Sequence, residues 1–179
     1  MSITEQPAVA IPAGSFNADP VHSSVSFEVP YMGIGVFSGG VKRFRATLVD
    51  GRLEGAAEIA SLELKDDNLH AHLLAPDFFD AERHPEVSFS TSSSAVTGSN
   101  VVFDGEITIR GISLPATLEG TIVGPVTDPY GNTRYGLRLQ TTVDRTAYGI
   151  TWNADLPDGT KALAEEVTLK AELSFVKAS

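Results

Sequence analysis

Apolar and polar residues alternate along most of the chain from about residue 21 onward. Val25, Phe27 and Val29 alternate with polar neighbours, and Leu137 and Leu139 do the same further along. Because successive side chains of a β-strand point to opposite faces, this period of two predicts strands with one apolar and one polar face. A chain that alternates over most of its length is expected to be an all-β protein.

Turn residues separate the alternating runs. Asp50-Gly51 lies between two such runs and is a strong hairpin signal, because both central positions of a type I′ turn need positive φ. The segments around Gly98 and around Arg110-Gly111 predict two further hairpins. The chain therefore divides into about eight strands, near residues 21–29, 40–49, 52–64, 86–93, 100–110, 113–123, 134–144 and 165–176.

Eight antiparallel strands with mostly short connections can close into a barrel, which removes both exposed edges of the sheet. Such a barrel is just wide enough either to fill its interior with side chains or to hold one slender ligand. A two-sheet sandwich is the alternative architecture. The length of 179 residues suits one domain with a sizeable core. We expect a disordered lead at residues 1–15 and a single barrel domain at 16–179.

Charge and composition exclude several classes of function. The net charge is −10 at pH 7 and the 13 basic residues are scattered, so a nucleic-acid partner and anchoring to anionic lipids are not expected. The absence of cysteine excludes disulfides, thiolate zinc sites and cysteine nucleophiles. The N-terminal stretch lacks a signal-peptide pattern and no long apolar run occurs. We therefore expect a cytoplasmic protein without stable membrane insertion.

The connection from residue 65 to residue 85 is much longer than an ordinary hairpin loop. It is rich in large apolar residues whose spacing is typical of a short helix: Leu69, Leu73, Leu74, Phe78 and Phe79. Apolar residues at this spacing need a surface to pack against. The segment is predicted to form a helical lid or plug over one end of the barrel.

The same segment contains three of the four histidines, His70, His72 and His84, together with several acidic residues. These are metal-ligand types, so a metal site is an alternative to the lid. However, His70 and His72 lie two positions apart, which places them on opposite faces of a strand and poorly aligned on a helix. We expect no bound metal, with His72 in a structural role.

Nucleophilic catalysis is a further alternative, based on His22 beside Ser23 and Ser24. Adjacent strand residues point to opposite faces, and the chain contains no G-x-S-x-G nucleophile elbow. We therefore do not expect an enzyme.

Four ordered segments resemble the YceI-like polyisoprenoid-binding family. "AHLLAPDFFDAERHPEVSF", residues 71–89, is similar to the family pattern D-x-H-L-x-S-x-D-F-F-D-x-x-x-Y-P. Residues 19–44 resemble the opening hairpin of the family, and "GEITIRGISLPATL", residues 105–118, resembles its G-x-L-T-I-x-G-x-x-x-P-V-T-L. "VDRTAYGITWN", residues 143–153, resembles the late D/N-R-x-x-F/Y-G-x-x-W-N pattern.

The resemblance implies a lipocalin-like antiparallel barrel that takes a long isoprenoid chain, such as a polyprenyl diphosphate or a quinone tail, into its apolar interior. It implies no catalysis and no cofactor. Arg145 and Tyr148 are candidates for the head group, because a guanidinium binds phosphate or carbonyl oxygens well. Pairing of Arg145 with an acidic residue is the alternative, and Trp152 is expected to pack over the barrel rim.

The expected ligand contacts combine inward-facing strand residues, the lid and the head-group candidates. They are Phe27, Val29, Leu73, Phe78, Phe79, Phe89, Leu137, Leu139, Arg145 and Tyr148. A barrel filled by its own side chains, acting as a structural or protein-interaction module, is the alternative function. The oligomeric state is left open, with a homodimer as one option.

Overall fold

The computed structural model describes residues 11–178, and within that range the chain forms eleven strands, one α-helix and two short 3-10 helices. The strands are β1 (Ser15–Ala18), β2 (Ser24–Tyr31), β3 (Gly35–Val41), β4 (Phe44–Val49), β5 (Arg52–Glu58), β6 (Leu62–Glu63), β7 (Glu86–Thr97), β8 (Asn100–Ile109), β9 (Ile112–Thr127), β10 (Thr133–Asp144) and β11 (Glu166–Lys177). The helix α1 spans Asp67–Leu74, and the 3-10 helices span Ile59–Ser61 and Arg145–Tyr148.

Eight of these strands close into an antiparallel barrel. The order around the barrel is β1-β4-β5-β7-β8-β9-β10-β11, and β11 pairs again with β1. β10 and β11 pair along nearly their whole length, from Arg134 opposite Val176 to Asp144 opposite Glu166. The predicted all-β, eight-stranded antiparallel barrel is confirmed, and the sandwich alternative is wrong because the ring of pairings is complete.

The remaining strands extend the wall on one side. β11 pairs with β1 near Phe175 and with β2 near Leu169, and β2 continues into β3 and then the short β6. We call the barrel end that carries α1 and the β8–β9 turn the upper end, and the end that carries the β4–β5, β7–β8 and β9–β10 connections the lower end. The β2–β3 hairpin therefore rises at the upper end.

Two predicted strands, 40–49 and 52–64, are each broken in the structure. The break in the first lies at Lys42 and Arg43, and the break in the second is the 3-10 helix that ends at Ser61. The buried Ser61 connects the two breaks: its carbonyl accepts from Lys42 N at 3.0 Å, and its hydroxyl accepts from Arg43 N at 2.9 Å. These bonds replace the regular ladder, so both strands bend at the same level of the barrel.

The predicted tight turns are confirmed by their backbone geometry. Asp50 and Gly51 have φ of 48° and 83°, and Arg110 and Gly111 have φ of 54° and 73°. Positive φ at both central residues matches the twist of the flanking strands. These two turns connect β4 to β5 and β8 to β9.

The interior is divided into a lower and an upper core. In the lower core, Leu48, Val101, Phe103, Ile122 and Phe175 have no exposed surface. The upper core combines strand residues with the lid and the loop after β10, and its buried members include Phe27, Ile59, Leu73, Phe78 and Ile150. The single barrel therefore contains two separate clusters of buried side chains, and only the upper cluster includes residues from the lid and the loop after β10.

The expected disordered lead, residues 1–15, falls largely on residues 1–10, which lie outside the described residues. Ile11 packs against the lower core, and Ser15 already belongs to β1.

Candidate functional site

A cavity of about 560 Å³ lies in the upper half of the barrel, next to α1. This volume falls within the range of roughly 300–1,000 Å³ that is typical of small-molecule sites. Apolar side chains from β2, β3, β11, the lid and the loop after β10 form nearly all of its wall. Among the described residues that line it, Arg145 is the only charged one.

The lid forms one wall of this cavity. Asp66 caps the helix, since its carboxylate accepts from Leu69 N at 3.0 Å, and the helix ends before Pro76, which disfavours helical backbone in the preceding residue. The predicted short helix is confirmed. Leu73 and Phe78 are buried, and Phe79 is half-buried. All three line the cavity.

His72 packs in an aromatic cluster at the cavity edge. Its ring meets Phe78 edge-on with centroids 4.7 Å apart and Trp152 edge-on with centroids 4.9 Å apart. Phe78 and Trp152 also contact each other, at 5.4 Å. The cluster joins the lid to the loop after β10, which agrees with the structural role expected for His72 and the rim position expected for Trp152.

The histidines of the lid do not converge. The His84 ring lies against the β8–β9 turn, where a Cβ at Gly111 would come within 3.0 Å of it, whereas His72 packs on Trp152. Across residues 11–178, no three His, Asp or Glu side chains are placed to hold one metal ion.

Arg145 lines the cavity, yet its guanidinium is directed at the main chain. Nε donates to the Ala164 carbonyl at 2.8 Å, and Nη1 donates to the carbonyls of Ile150 and Trp152 at 2.8 and 2.9 Å. The side chain is 5% exposed, and this burial lowers the pKa of Arg145. Arg145 thus ties the end of β10 to the following loop through carbonyls, in place of the acidic partner considered as its alternative.

The other expected ligand contacts are divided between three places. Phe27, Val29, Leu73, Phe78, Phe79 and Arg145 line the upper cavity. Phe89 and Leu139 line a smaller cavity of about 130 Å³ below it. Leu137, 1% exposed in the lower core, and Tyr148 line neither. The Tyr148 hydroxyl donates to the Ile107 carbonyl at 3.2 Å, and burial raises the pKa of this phenol.

Several wall residues were missed by the sequence reasoning. Tyr31 and Val36 of the β2–β3 hairpin line the cavity, as does Leu163 of the loop after β10. Arg110 does not line the cavity but donates from Nη1 to the Pro76 carbonyl at 2.6 Å and to the Phe78 carbonyl. The Arg110-Gly111 pair predicts only a turn from the sequence, because its position beside the lid depends on the closed barrel.

His22 lies at the lower end, away from the upper cavity. Its Nδ1 is 2.7 Å from Asp19 Oδ2, and Asp19 also accepts from Arg134 at 3.0 Å. The hydroxyl of the neighbouring Ser23 accepts from Ser174 N at 2.9 Å. These groups therefore join β1, β10 and β11, and the His22–serine arrangement considered for catalysis does not form.

Comparison with known proteins gives the family. The model of the YceI-like domain matches residues 16–175. The chain belongs to the YceI-like family. A UPF0312 protein of Staphylococcus aureus is 29% identical over 170 residues, which cover 90% of this chain and 96% of that protein.

Solved structures show the same fold. BcnA of Burkholderia cenocepacia superposes with a TM-score of 0.70 at 20% identity, covering 88% of this chain and 98% of that one. A polyisoprenoid-binding domain from Saccharophagus degradans superposes with a TM-score of 0.68 at 9% identity, covering 91% of this chain and 98% of that one. No helix within residues 11–178 is long and apolar enough to span a membrane.

Proposed function

We propose that this protein binds a long-chain isoprenoid in the upper cavity and stores or carries it. The observation that carries the proposal is the cavity of about 560 Å³, which is enclosed almost entirely by apolar side chains. Apolar surface of this kind favours an apolar occupant, because each buried methylene contributes about 0.8 kcal/mol. A domain of the same fold in Saccharophagus degradans is described as polyisoprenoid-binding, and this supports the choice of ligand class.

The polar groups of the wall favour a quinone-type head group over a diphosphate. Of the described lining residues only Arg145 carries a charge, and its guanidinium donates to three main-chain carbonyls within 2.9 Å. A diphosphate carries several negative charges and needs cations with free donors. A neutral head group at the mouth needs only one or two hydrogen bonds, for which Tyr31 and His72 are available among the lining residues.

A carrier role follows from the competition between the protein and a bilayer. An isoprenoid chain gains about as much from lipid hydrocarbon as from an apolar cavity, so net affinity relative to the bilayer is small. Because the free energies of the isoprenoid in the protein and in the bilayer differ little, the protein can both take up the isoprenoid and release it. The role proposed here needs no chemical step, and the protein is proposed to act as a binding protein and not as an enzyme.

The filled barrel remains a second candidate, as a structural or interaction module, because one observation favours it. The lower core, with Val101, Phe103, Ile122 and Phe175 fully buried, is a packed interior. This filling applies to the lower half only. We therefore place the proposed chain in the upper half, with the lower core as its floor.

Extraction of the purified protein with organic solvent, followed by mass spectrometry, tests the proposal. We expect a neutral isoprenoid at a substoichiometric to equimolar amount, and reloading of delipidated protein by a quinone with a prenyl tail. A prenyl diphosphate is expected to compete weakly. Absence of any extracted lipid, together with failure to reload, contradicts the carrier and favours the structural module.

A further inference from the structure

The β2–β3 hairpin exposes a group of apolar side chains at the upper end of the barrel. Tyr31, Ile34 and Val36 are 45%, 89% and 62% exposed, and Met32 between them is also exposed. We call these four residues the hairpin tip. No charged residue or histidine occurs from residue 29 to residue 41, although charged residues make up 20% of the chain.

The hairpin tip is continuous with the mouth of the upper cavity. Tyr31 and Val36 line the cavity and are exposed to solvent at the same time, and so is Trp152 on the facing loop. Lining residues that are also exposed mark where a cavity opens. The apolar surface outside and the apolar wall inside therefore form one connected path.

The main chain of the hairpin is held by the loop after β10, while the side chains of the hairpin tip are exposed. Met32 N donates to the Ala162 carbonyl at 2.7 Å, and Ala164 N donates to the Pro30 carbonyl at 3.1 Å. Met32 itself has φ of 55°, a conformation in which Asn or Gly is usual. Met32 is 40% exposed, so a large part of its apolar surface meets solvent. The turn thus presents an apolar side chain where local preference favours a small polar residue or glycine.

We propose that the hairpin tip docks reversibly on the surface of a zwitterionic lipid bilayer, so that the mouth of the cavity opens onto the lipid. Exposed apolar groups without charge gain free energy when they enter the acyl boundary. Tyr and Trp favour the membrane interface because they combine an apolar ring with a polar end, and Tyr31 and Trp152 flank the mouth.

The charge of the protein decides the kind of bilayer. The hairpin tip offers no cation to an anionic head group, and on the neighbouring loop the positive charge of Lys161 is balanced by Asp155. The net charge of the chain is −10. Anionic head groups are therefore repelled by the chain as a whole, and a zwitterionic surface without net charge is the matching partner.

Docking on a bilayer is a property separate from the proposed isoprenoid binding, and it does not depend on which head group the bound isoprenoid carries. Flotation with phosphatidylcholine vesicles tests it, and the single tryptophan, Trp152, reports insertion by a shift of its emission to shorter wavelength. We expect the protein to float with these vesicles and to float less when part of the lipid is replaced by phosphatidylglycerol at low salt.

The test variant is Met32→Asn with Ile34→Ser. Asn tolerates positive φ, so the turn is expected to stay folded. We expect vesicle binding to fall about tenfold or more, a factor of ten being 1.4 kcal/mol, while the amount of quinone bound from detergent solution stays unchanged. The matched control is Val126→Ser with Tyr130→Ser, two exposed positions at the lower end, which should float like the wild type.

Four results overturn the proposal. Wild-type protein that stays unbound to phosphatidylcholine vesicles, yet still takes up a quinone from detergent, refutes docking and leaves the carrier standing. Equal loss of vesicle binding in the control variant indicates nonspecific adsorption. A dimer in light scattering that the tip variant breaks, without vesicle binding, assigns the surface to a second copy of the chain. Loss of quinone uptake by the tip variant assigns these residues to the cavity.

Discussion

The guanidinium of Arg110 donates to the main-chain carbonyl of Phe78 and so ties the β8–β9 turn to the lid. The same Nη1 donates to the Pro76 carbonyl at 2.6 Å. Both acceptors lie in the segment just after α1, and Phe78 lines the cavity. One side chain from the β8–β9 turn thus fixes the part of the lid that lines the upper cavity.

Arg110→Met should loosen the lid with little effect on the barrel. A hydrogen bond from a charged donor is worth about 1.5–3 kcal/mol, so loss of these bonds is expected to speed ligand release about tenfold or more. The positive φ at residue 110 is equally unfavourable for Arg and for Met, so the substitution does not change the backbone strain of the turn. Hydrogen exchange of α1 amides and the dissociation rate of a bound quinone measure the effect.

The control for this variant is Arg138→Met. Arg138 is exposed on β10 and lies 4.0 Å from Glu172. Replacement of Arg138 should change neither the hydrogen exchange of the α1 amides nor the dissociation rate of a bound quinone. Unaltered exchange of α1 in Arg110→Met would show that aromatic packing alone holds the lid.

Replacement of both lid phenylalanines by serine should weaken retention of a long apolar chain. Phe78 is buried against His72 and Trp152, and Phe79 lines the same cavity. Truncating a buried Phe costs about 3–5 kcal/mol, so the double variant should also be less stable. The single variant Phe79→Ser, at a half-buried position, separates retention from stability. Unchanged retention in both folded variants would reassign the two residues to the core.

A matched pair of tryptophan substitutions separates the open half of the barrel from the filled half. Val29→Trp adds volume to the wall of the upper cavity. We therefore expect the longest prenyl chain that the protein accepts to become shorter, while the thermal midpoint stays nearly unchanged. Leu137→Trp overpacks a site that is 1% exposed, and should cost about 1–3 kcal/mol. For both variants, thermal unfolding measures the midpoint, and binding of a series of prenyl chains of increasing length measures the longest chain accepted. Equal destabilisation by the two substitutions would contradict an open upper cavity.

The barrel was predictable because alternation and turn chemistry act locally. Leu137 and Leu139 show the period of two within β10, and Asp50-Gly51 specifies its turn without help from distant residues. The breaks near Lys42 and Ser61 were not predictable, since they depend on hydrogen bonds between segments 18 residues apart.

The division of the interior into an upper cavity and a packed lower core could not be predicted from the sequence either. Val29 and Leu137 sit in equally regular alternation, yet one lines a cavity and the other is packed on all sides. That difference depends on which side chains face each other across the barrel. The charge of Arg145 makes it a candidate for the head group, but its carbonyl partners belong to a loop whose path the alternating pattern does not predict.

Acid should weaken the junction at the lower end. Hydrogen bonds from His22 and then Arg134 lower the pKa of Asp19 from 3.8 to about 2, and Arg134 also lowers the pKa of Asp128. A carboxyl whose folded pKa is depressed contributes stability that is present above its unfolded pKa and is lost as pH falls through the folded pKa. For Asp19 this window runs from about pH 4 down to about pH 2.

Arg134→Met removes the shared cation and tests this window. The wild type should be more stable than the variant at pH 6, and the difference should shrink as pH falls from 4 to 2. Urea unfolding at a series of pH values measures it, with Arg138→Met as an exposed control that shows no such trend. A difference that is constant with pH would mean that Arg134 acts through packing and not through the two carboxylates.

Arg145 distinguishes a head-group contact from a loop anchor. Its guanidinium donates to the carbonyls of Ala164, Ile150 and Trp152 within 2.9 Å, so Arg145→Met leaves three acceptors without a donor. A buried polar group without a partner costs about 1–3 kcal/mol, so we expect a loss of at least about 3 kcal/mol of unfolding free energy. Arg145→Lys should recover only part of it, because one ammonium group cannot reach all three carbonyls in the planar fork geometry. Urea unfolding and quinone binding are measured on both variants. Stability close to wild type combined with a selective loss of quinone affinity would instead assign Arg145 to the ligand.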